Sequence, residues 1–184
     1  MQISQEFTVA RSVGQVWEMF QDIAAVAQCL PGATLNEDRG NRVYSGSVAV
    51  KLGPIAAKFE GEASVTPDPP SHSAVIEGKG VDKRGGSRGQ VRVTYRLAGE
   101  GSNTRVTIDA DISLAGPAAQ FGRTGLVNEM SRRLIADFAT CLEAKLAAPN
   151  PAAAEEIVAP EVRPLTMLWH SFVQWLRRLF TRPG

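Results

Sequence analysis

Residues able to do acid–base, nucleophilic or metal chemistry are few in this 184-residue chain, and their spacing does not bring them together. Of the two histidines, His72 stands in a Ser-His-Ser turn after Pro69-Pro70, where a solvated loop residue is expected. His170 falls on the polar side of a C-terminal helix. Cys29 and Cys141 lie on different predicted helices in apolar surroundings; they are expected as buried free thiols, with a disulfide as the alternative. Nowhere do Cys, His, Asp and Glu recur at metal-ligand spacing. Gly78-Lys79-Gly80 and Gly85-Gly86-Ser87-Arg88-Gly89 fit neither phosphate-loop pattern and read as hairpin turns. Lys83, Arg84 and Arg88 around the second turn suit an acidic partner or lipid headgroups, but a solvated tip is the plainer reading. Asp109 and Asp111 share the outward side of a strand, away from any site where a carboxylate pair could act on a bound substrate. Tyr44 and Tyr95 are the inward aromatic hydroxyls. The expectation is no catalytic residue, no metal and no covalent cofactor, so not an enzyme. A cyclase or hydrolase would need polar groups converging inside the fold.

Around these residues the elements are well marked. Residues 2–10 alternate, with Ile3, Phe7 and Val9 apolar, and predict a first strand. Ser12 with Gln15 three residues on makes a capping box. The helix it opens buries Val13, Val16, Trp17 and Phe20, and a second short helix covers Ile23 to Leu30 before Pro31-Gly32. The period then becomes two. Strands are predicted around Tyr44–Leu52, Ile55–Val65, Ala74–Gly80, Val91–Leu97 and Val106–Leu114, joined by turns at Gly53-Pro54, Pro67–Ser71, Gly85–Ser87 and Gly99–Ser102. Clean alternation signals antiparallel strands with one wet and one buried face, and short links imply a meander. From Pro117 to Leu146, Val127, Met130, Leu134, Phe138 and Cys141 recur at helical steps, widened by Ile135 and Leu142. About thirty residues would run some 45 Å, enough to cover the buried face of the sheet. The fold expected is α+β: a helix-grip, with a curved antiparallel sheet around a long C-terminal helix.

Composition is that of an ordinary globular chain, 43% hydrophobic and 21% charged. Residues 1–148 carry 16 Lys+Arg and 16 Asp+Glu, and so neutral a body excludes a nucleic-acid surface. The N-terminus reads as a strand rather than a signal peptide, since Glu6 interrupts any apolar run. A reduced, cytoplasmic protein is expected.

The inward face repeatedly uses Gly46, Ala57, Gly61, Ala63, Ala74, Gly78, Gly80 and Ala110 where packing would favour larger residues. Two readings stand: an apolar cavity, or glycines that bend the sheet over a filled core. Were there a cavity, its lining would include Tyr44, Val48, Val50, Ala57, Phe59 and Gly61. Ile76 and Tyr95 would join them from the next strands, with Met130, Leu134 and Phe138 from the helix.

Three segments carry a more specific resemblance: Cys29-Leu30-Pro31-Gly32-Ala33, Val50-Lys51-Leu52-Gly53-Pro54-Ile55 and Lys58-Phe59-Glu60-Gly61. In these, and in element order over about residues 1–147, the chain resembles the carbon monoxide dehydrogenase CoxG family of the START/Bet v 1-like superfamily. The resemblance implies an accessory protein of a molybdenum hydroxylase such as carbon monoxide dehydrogenase, implicated in recruiting that enzyme to the membrane.

Beyond the domain (1–148), residues 149–163 are Pro/Ala/Glu-rich and predict a semi-rigid linker. Residues 164–184 predict an amphipathic helix. Leu165, Leu168, Trp169, Phe172, Val173, Trp175, Leu176, Leu179 and Phe180 fall in one arc, opposite His170, Gln174, Arg177, Arg178 and Thr181. The stripe is too short and too interrupted to span a bilayer. Trp, Phe and Arg in this arrangement suit a membrane interface; a partner groove and docking on the domain are the alternatives. The function expected is a non-catalytic accessory protein on the inner face of the cell membrane. It would bind a molybdenum hydroxylase and carry an apolar ligand, a quinone such as menaquinone or ubiquinone. The alternative is a membrane-anchoring scaffold without ligand.

Overall fold

A computed structural model describes residues 1–52, 55–123 and 126–160. The turn expected at Gly53-Pro54 and the amphipathic helix expected at 164–184 lie outside the described residues.

The chain opens with β1 (Gln2–Val9), followed by α1 (Val13–Gln21) and α2 (Ile23–Cys29). The Ser12 amide and hydroxyl both donate to Gln15 Oε1, fixing the start of α1 as its capping box requires. Asp22 Oδ1 accepts from the Ala25 amide and starts α2. Six strands follow: β2 (Ala33–Asp38), β3 (Val43–Leu52), β4 (Ile55–Asp68), β5 (Ser73–Asp82), β6 (Ser87–Glu100) and β7 (Asn103–Ala115). They form one antiparallel sheet in the order β1-β7-β6-β5-β4-β3-β2, the meander that short turns dictate. Strand β2 is additional to the expected set. It pairs with β3 at the sheet edge, and its Thr34, Asn36, Glu37 and Asp38 give it no apolar face to announce it.

The long helix starts later than expected. Gly116–Arg123 is a 3-10 segment, and the α-helix proper, α3, runs Leu126–Ala147, 22 residues. At 1.5 Å per residue that is about 33 Å rather than 45 Å. Gly116 takes a left-handed conformation, and Ser87 Oγ accepts from the buried Ala118 amide, so the segment folds back onto the β5–β6 hairpin before α3 begins.

The cysteines and the linker also depart from expectation. Cys29 and Cys141 are not free thiols; they form a disulfide that joins α2 to α3. Nor does the chain leave the domain at 149. Asn150 caps a short helix, α4 (Pro151–Glu155), and Ile157 packs against the core. The Ala159 amide then donates to the Gln28 carbonyl at 2.8 Å.

The outer face of the sheet is wet and laced with ion pairs. Arg39 meets Glu37 and Glu62, Lys83 meets Glu60, Arg92 meets Glu77, and Arg105 meets Glu6 and Glu100. These exposed pairs hold register and solubility more than stability.

Candidate functional site: the inner face of the sheet

Alternation puts one side of every strand toward α3, but packing on that side is uneven. At one end it is closed. Val9, Val65, Ala74, Tyr95, Leu97 and Val106 from the sheet meet Val16, Phe20, Phe138 and Leu142 from the helices, all buried. Phe20 lies between Tyr95, ring centroids 4.7 Å apart, and Phe138, 6.1 Å away, while Phe138 meets Phe7 edge-on at 6.0 Å. The disulfide lies at this end too.

Toward the other end the same face opens. Val48 is 43% exposed although its register with Ala33 and Phe59 sets it on the inner side. Val50, Phe59, Val91 and Val93 are half-buried there, as are Met130 and Leu134 on α3. The expected lining therefore divides. Tyr44 and Ile76 pack on the closed core that Tyr95 and Phe138 help form, and Ala57 is buried. Val48, Val50, Phe59, Gly61, Met130 and Leu134 border the open half. The structure brings these side chains to one face but fills half of it.

The small residues have a second role that register reveals. Gly46 pairs with Gly61, Gly61 with Gly80, and Gly80 with Gly89, a row of four glycines straight across β3, β4, β5 and β6. A Cβ at Gly61 would stand 1.9 Å from the Lys79 carbonyl oxygen and 2.7 Å from Gly80 Cα; one at Gly46 would stand 2.5 Å from the Thr34 oxygen. These two glycines admit backbone, not ligand. They let neighbouring strands close up where the sheet bends. At Gly80 and Gly89 the nearest side chain is Phe59 or lies beside it, with Phe59 3.2 Å from a Cβ at Gly80 and 3.5 Å from one at Gly89. The aromatic ring lies over the hollow the row creates.

Polar groups on this face are few and do not converge. The Tyr95 hydroxyl is buried and, among the described residues, has no hydrogen-bond partner. Burial pushes its ionisation above the usual value of 10.0, with the nearby Gln21 amide and Arg42 charge acting the other way. Gln21 is not in bonding geometry with it. Its Nε2 donates to the Trp17 carbonyl and its Oε1 accepts from Arg42. His72 is not a solvated loop residue: its ring meets Trp17 edge-on, centroids 5.5 Å apart, and its carbonyl accepts from the Leu97 amide. Gln5, also inward, donates to Ser131 Oγ at 3.4 Å. Asp109 and Asp111 face outward, engaged by Ser4 and Arg96 and by the N-terminal amine. A shallow groove on that outer side, about 500 Å³, is lined by Glu62, Glu77, Lys79 and Arg92, whose charges are already paired. Among the described residues no three His, Cys, Asp or Glu side chains could hold a metal, and no helix is long and apolar enough to cross a membrane.

The model of the carbon monoxide dehydrogenase CoxG family matches residues 6–147. The chain belongs to that family. The match spans every element from β1 to α3 and ends where α4 and the C-terminal segment begin. No curated protein matches the sequence. Among solved structures, the chain is similar to a conserved protein from Geobacillus kaustophilus, with TM-score 0.68, 18% identity, and 80% of this chain and 95% of that one covered. It is similar to a START superfamily protein from Mycobacterium smegmatis, with TM-score 0.54, 15% identity and 79% and 96% coverage. It is also similar to a truncated norcoclaurine synthase from Thalictrum flavum, with TM-score 0.51, 14% identity and 77% and 92% coverage. At these identities the likeness is one of fold: a START/Bet v 1-like sheet and C-terminal helix, on which different functions are built.

Proposed function

We propose that this chain is a non-catalytic accessory protein of a carbon monoxide dehydrogenase-like molybdenum hydroxylase, that it attaches this enzyme to the inner face of the cell membrane, and that it carries an apolar ligand such as a respiratory quinone. Family membership supports the accessory role. The observation that carries the ligand is the exposed apolar surface on the inner face of the sheet, with Val48 at its centre. An inward valine in contact with water is a cost to a domain that has no use for the space. A quinone would set its isoprenoid tail along Val48, Val50 and Phe59, beneath Met130 and Leu134. The Trp/Phe/Leu stripe of 164–184, flanked by Arg177 and Arg178, would supply the membrane contact.

A ligand-free scaffold is the second reading, and Phe59 favours it: its ring already covers Gly80 and Gly89. Val48→Trp separates the two. The added bulk enters open space rather than backbone, so the fold is retained while the open half is filled. In a reconstitution of enzyme, membranes and this protein, substrate-dependent quinone reduction should fall with Val48→Trp if the chain is a carrier. Full electron transfer by a folded, membrane-bound Val48→Trp variant would leave the scaffold reading.

A further inference from the structure

The disulfide and the docked C-terminal segment meet at one seam. Cys29 is the last residue of α2 and the one side chain of that helix that is fully buried. Gln28, beside it, holds two other parts of the chain. Its Oε1 accepts from Lys145 Nζ at 2.7 Å, and its carbonyl accepts from the Ala159 amide at 2.8 Å. Lys145 lies one helical turn beyond Cys141 and also donates to the Ala154 carbonyl at 2.6 Å. The covalent bond thus sits between α2 and α3, and the contacts that hold residues 151–160 lie on the residues next to it.

We propose that the Cys29–Cys141 disulfide is a redox latch: oxidised, it fixes residues 151–160 on the α2–α3 seam, and reduced, it releases them. The physical case rests on how little else secures α2. It has seven residues, too few to persist as a helix without tertiary support. Its remaining apolar side chains toward the core, Ile23 and Val26, are only partly buried. Loss of the covalent tie lets α2 lift, and Gln28 goes with it. Lys145 and the Ala159 amide then lose their acceptors together, while the sheet keeps its own ladder and the closed core keeps Phe20, Tyr95 and Phe138.

The chemistry is thiol–disulfide exchange with a dithiol reductant. A thiolate of the reductant attacks one sulfur as α2 lifts, forming a mixed disulfide, and the other cysteine leaves and takes up a proton. The reductant's second thiol displaces the remaining cysteine. Two electrons have passed: Cys29 and Cys141 are thiols and the reductant is a disulfide. The latch controls where the chain beyond residue 160 leaves the domain, and does not depend on what that stretch binds.

Hydrogen–deuterium exchange on the full chain tests this, comparing oxidised protein with protein reduced by dithiothreitol, thiols titrated in both. The proposal expects no free thiol before reduction and two after it. Exchange should rise at least tenfold in α2 and across 151–160, with the Ala159 amide among the fastest, while β5, β6 and β7 are unchanged. Two free thiols in protein treated with oxidised glutathione would overturn the latch, since no disulfide would form. Verified reduction with 151–160 still protected would overturn it as well. Equal loss of protection in the strands would show a staple for the whole fold and likewise end the proposal.

Discussion

The glycine row makes a sharp prediction about which small residues on the inner face are structural. Gly61→Ala adds one methyl carbon whose nearest neighbours are all main chain of β5: Lys79 O at 1.9 Å, Gly80 Cα at 2.7 Å and Lys79 C at 2.8 Å. None can rotate away. Restoring ordinary contact at the oxygen, about 3.4 Å, needs the strands to part locally by about 1.5 Å, enough to break a ladder hydrogen bond. Overpacking costs about 1–3 kcal/mol, and a lost ladder bond adds about 1 kcal/mol. Gly61→Ala should therefore destabilise by about 2–4 kcal/mol. Gly89→Ala is the control on the same face and in the same row. Its Cβ would meet Leu114 Cδ2 at 3.4 Å and the Phe59 ring at 3.5 and 3.6 Å, ordinary contacts. With the backbone-entropy gain of replacing a strand glycine, it should be neutral or stabilising by up to about 1 kcal/mol. Urea unfolding followed by far-UV circular dichroism measures both. If Gly61→Ala lies within about 0.5 kcal/mol of the parent, or if Gly89→Ala is the worse of the two, the close-approach account of the row is wrong.

Three other substitutions probe the rest of the molecule. Tyr95→Phe removes a buried hydroxyl that lacks a partner among the described residues and should stabilise by about 1 kcal/mol at neutral pH. It should also alter alkaline behaviour. The folded-state value of Tyr95 lies above 10.0, so in the parent the unfolded chain loses that proton first, and stability present below pH 10.0 is lost as pH rises through the folded value. The difference between parent and Tyr95→Phe melts should change above pH 10.0 and be flat below it; a flat difference throughout would show that the phenol titrates normally. Lys145→Met leaves Gln28 Oε1 and the Ala154 carbonyl without their donor, at a cost of about 1–3 kcal/mol. Its effect should appear first as faster proteolysis within 149–160, and unchanged cleavage there would mean the seam is held by other contacts. Trp175→Glu places a charge in the apolar stripe of the tail and should abolish most co-sedimentation with anionic liposomes; full retention would remove the membrane role from that stripe.

Much of the fold is legible in the sequence because alternation is a strong signal. The strands β3 to β7 and their inner faces follow from residues such as Val48, Val50, Val91 and Val93 read two apart. Strand β2 is hidden because an edge strand of Thr, Asn, Glu and Asp buries nothing on either side. The start of α3 is hidden because Gly116-Pro117 opens a 3-10 segment as readily as an α-helix. The pairing of Cys29 with Cys141, 112 residues apart, depends on how α2 sits on α3, which no local pattern encodes. The small inward residues are visible as a set. Their alignment into one row, and the Phe59 ring lying over it, needs the register of four strands. The docking of 149–160 escapes the sequence because the Pro/Ala/Glu composition of a linker says nothing about one amide reaching the Gln28 carbonyl.

The ligand claim is tested most directly by what the protein holds when purified from its own host. Organic extracts of the full-length chain, prepared with membranes present and analysed by mass spectrometry, should contain an isoprenoid quinone at near one equivalent. Extracts of Val48→Trp, purified in parallel and shown to be folded, should contain little of it. Equal amounts of quinone from both proteins, or none from either, would contradict a ligand site on the open half of the inner face.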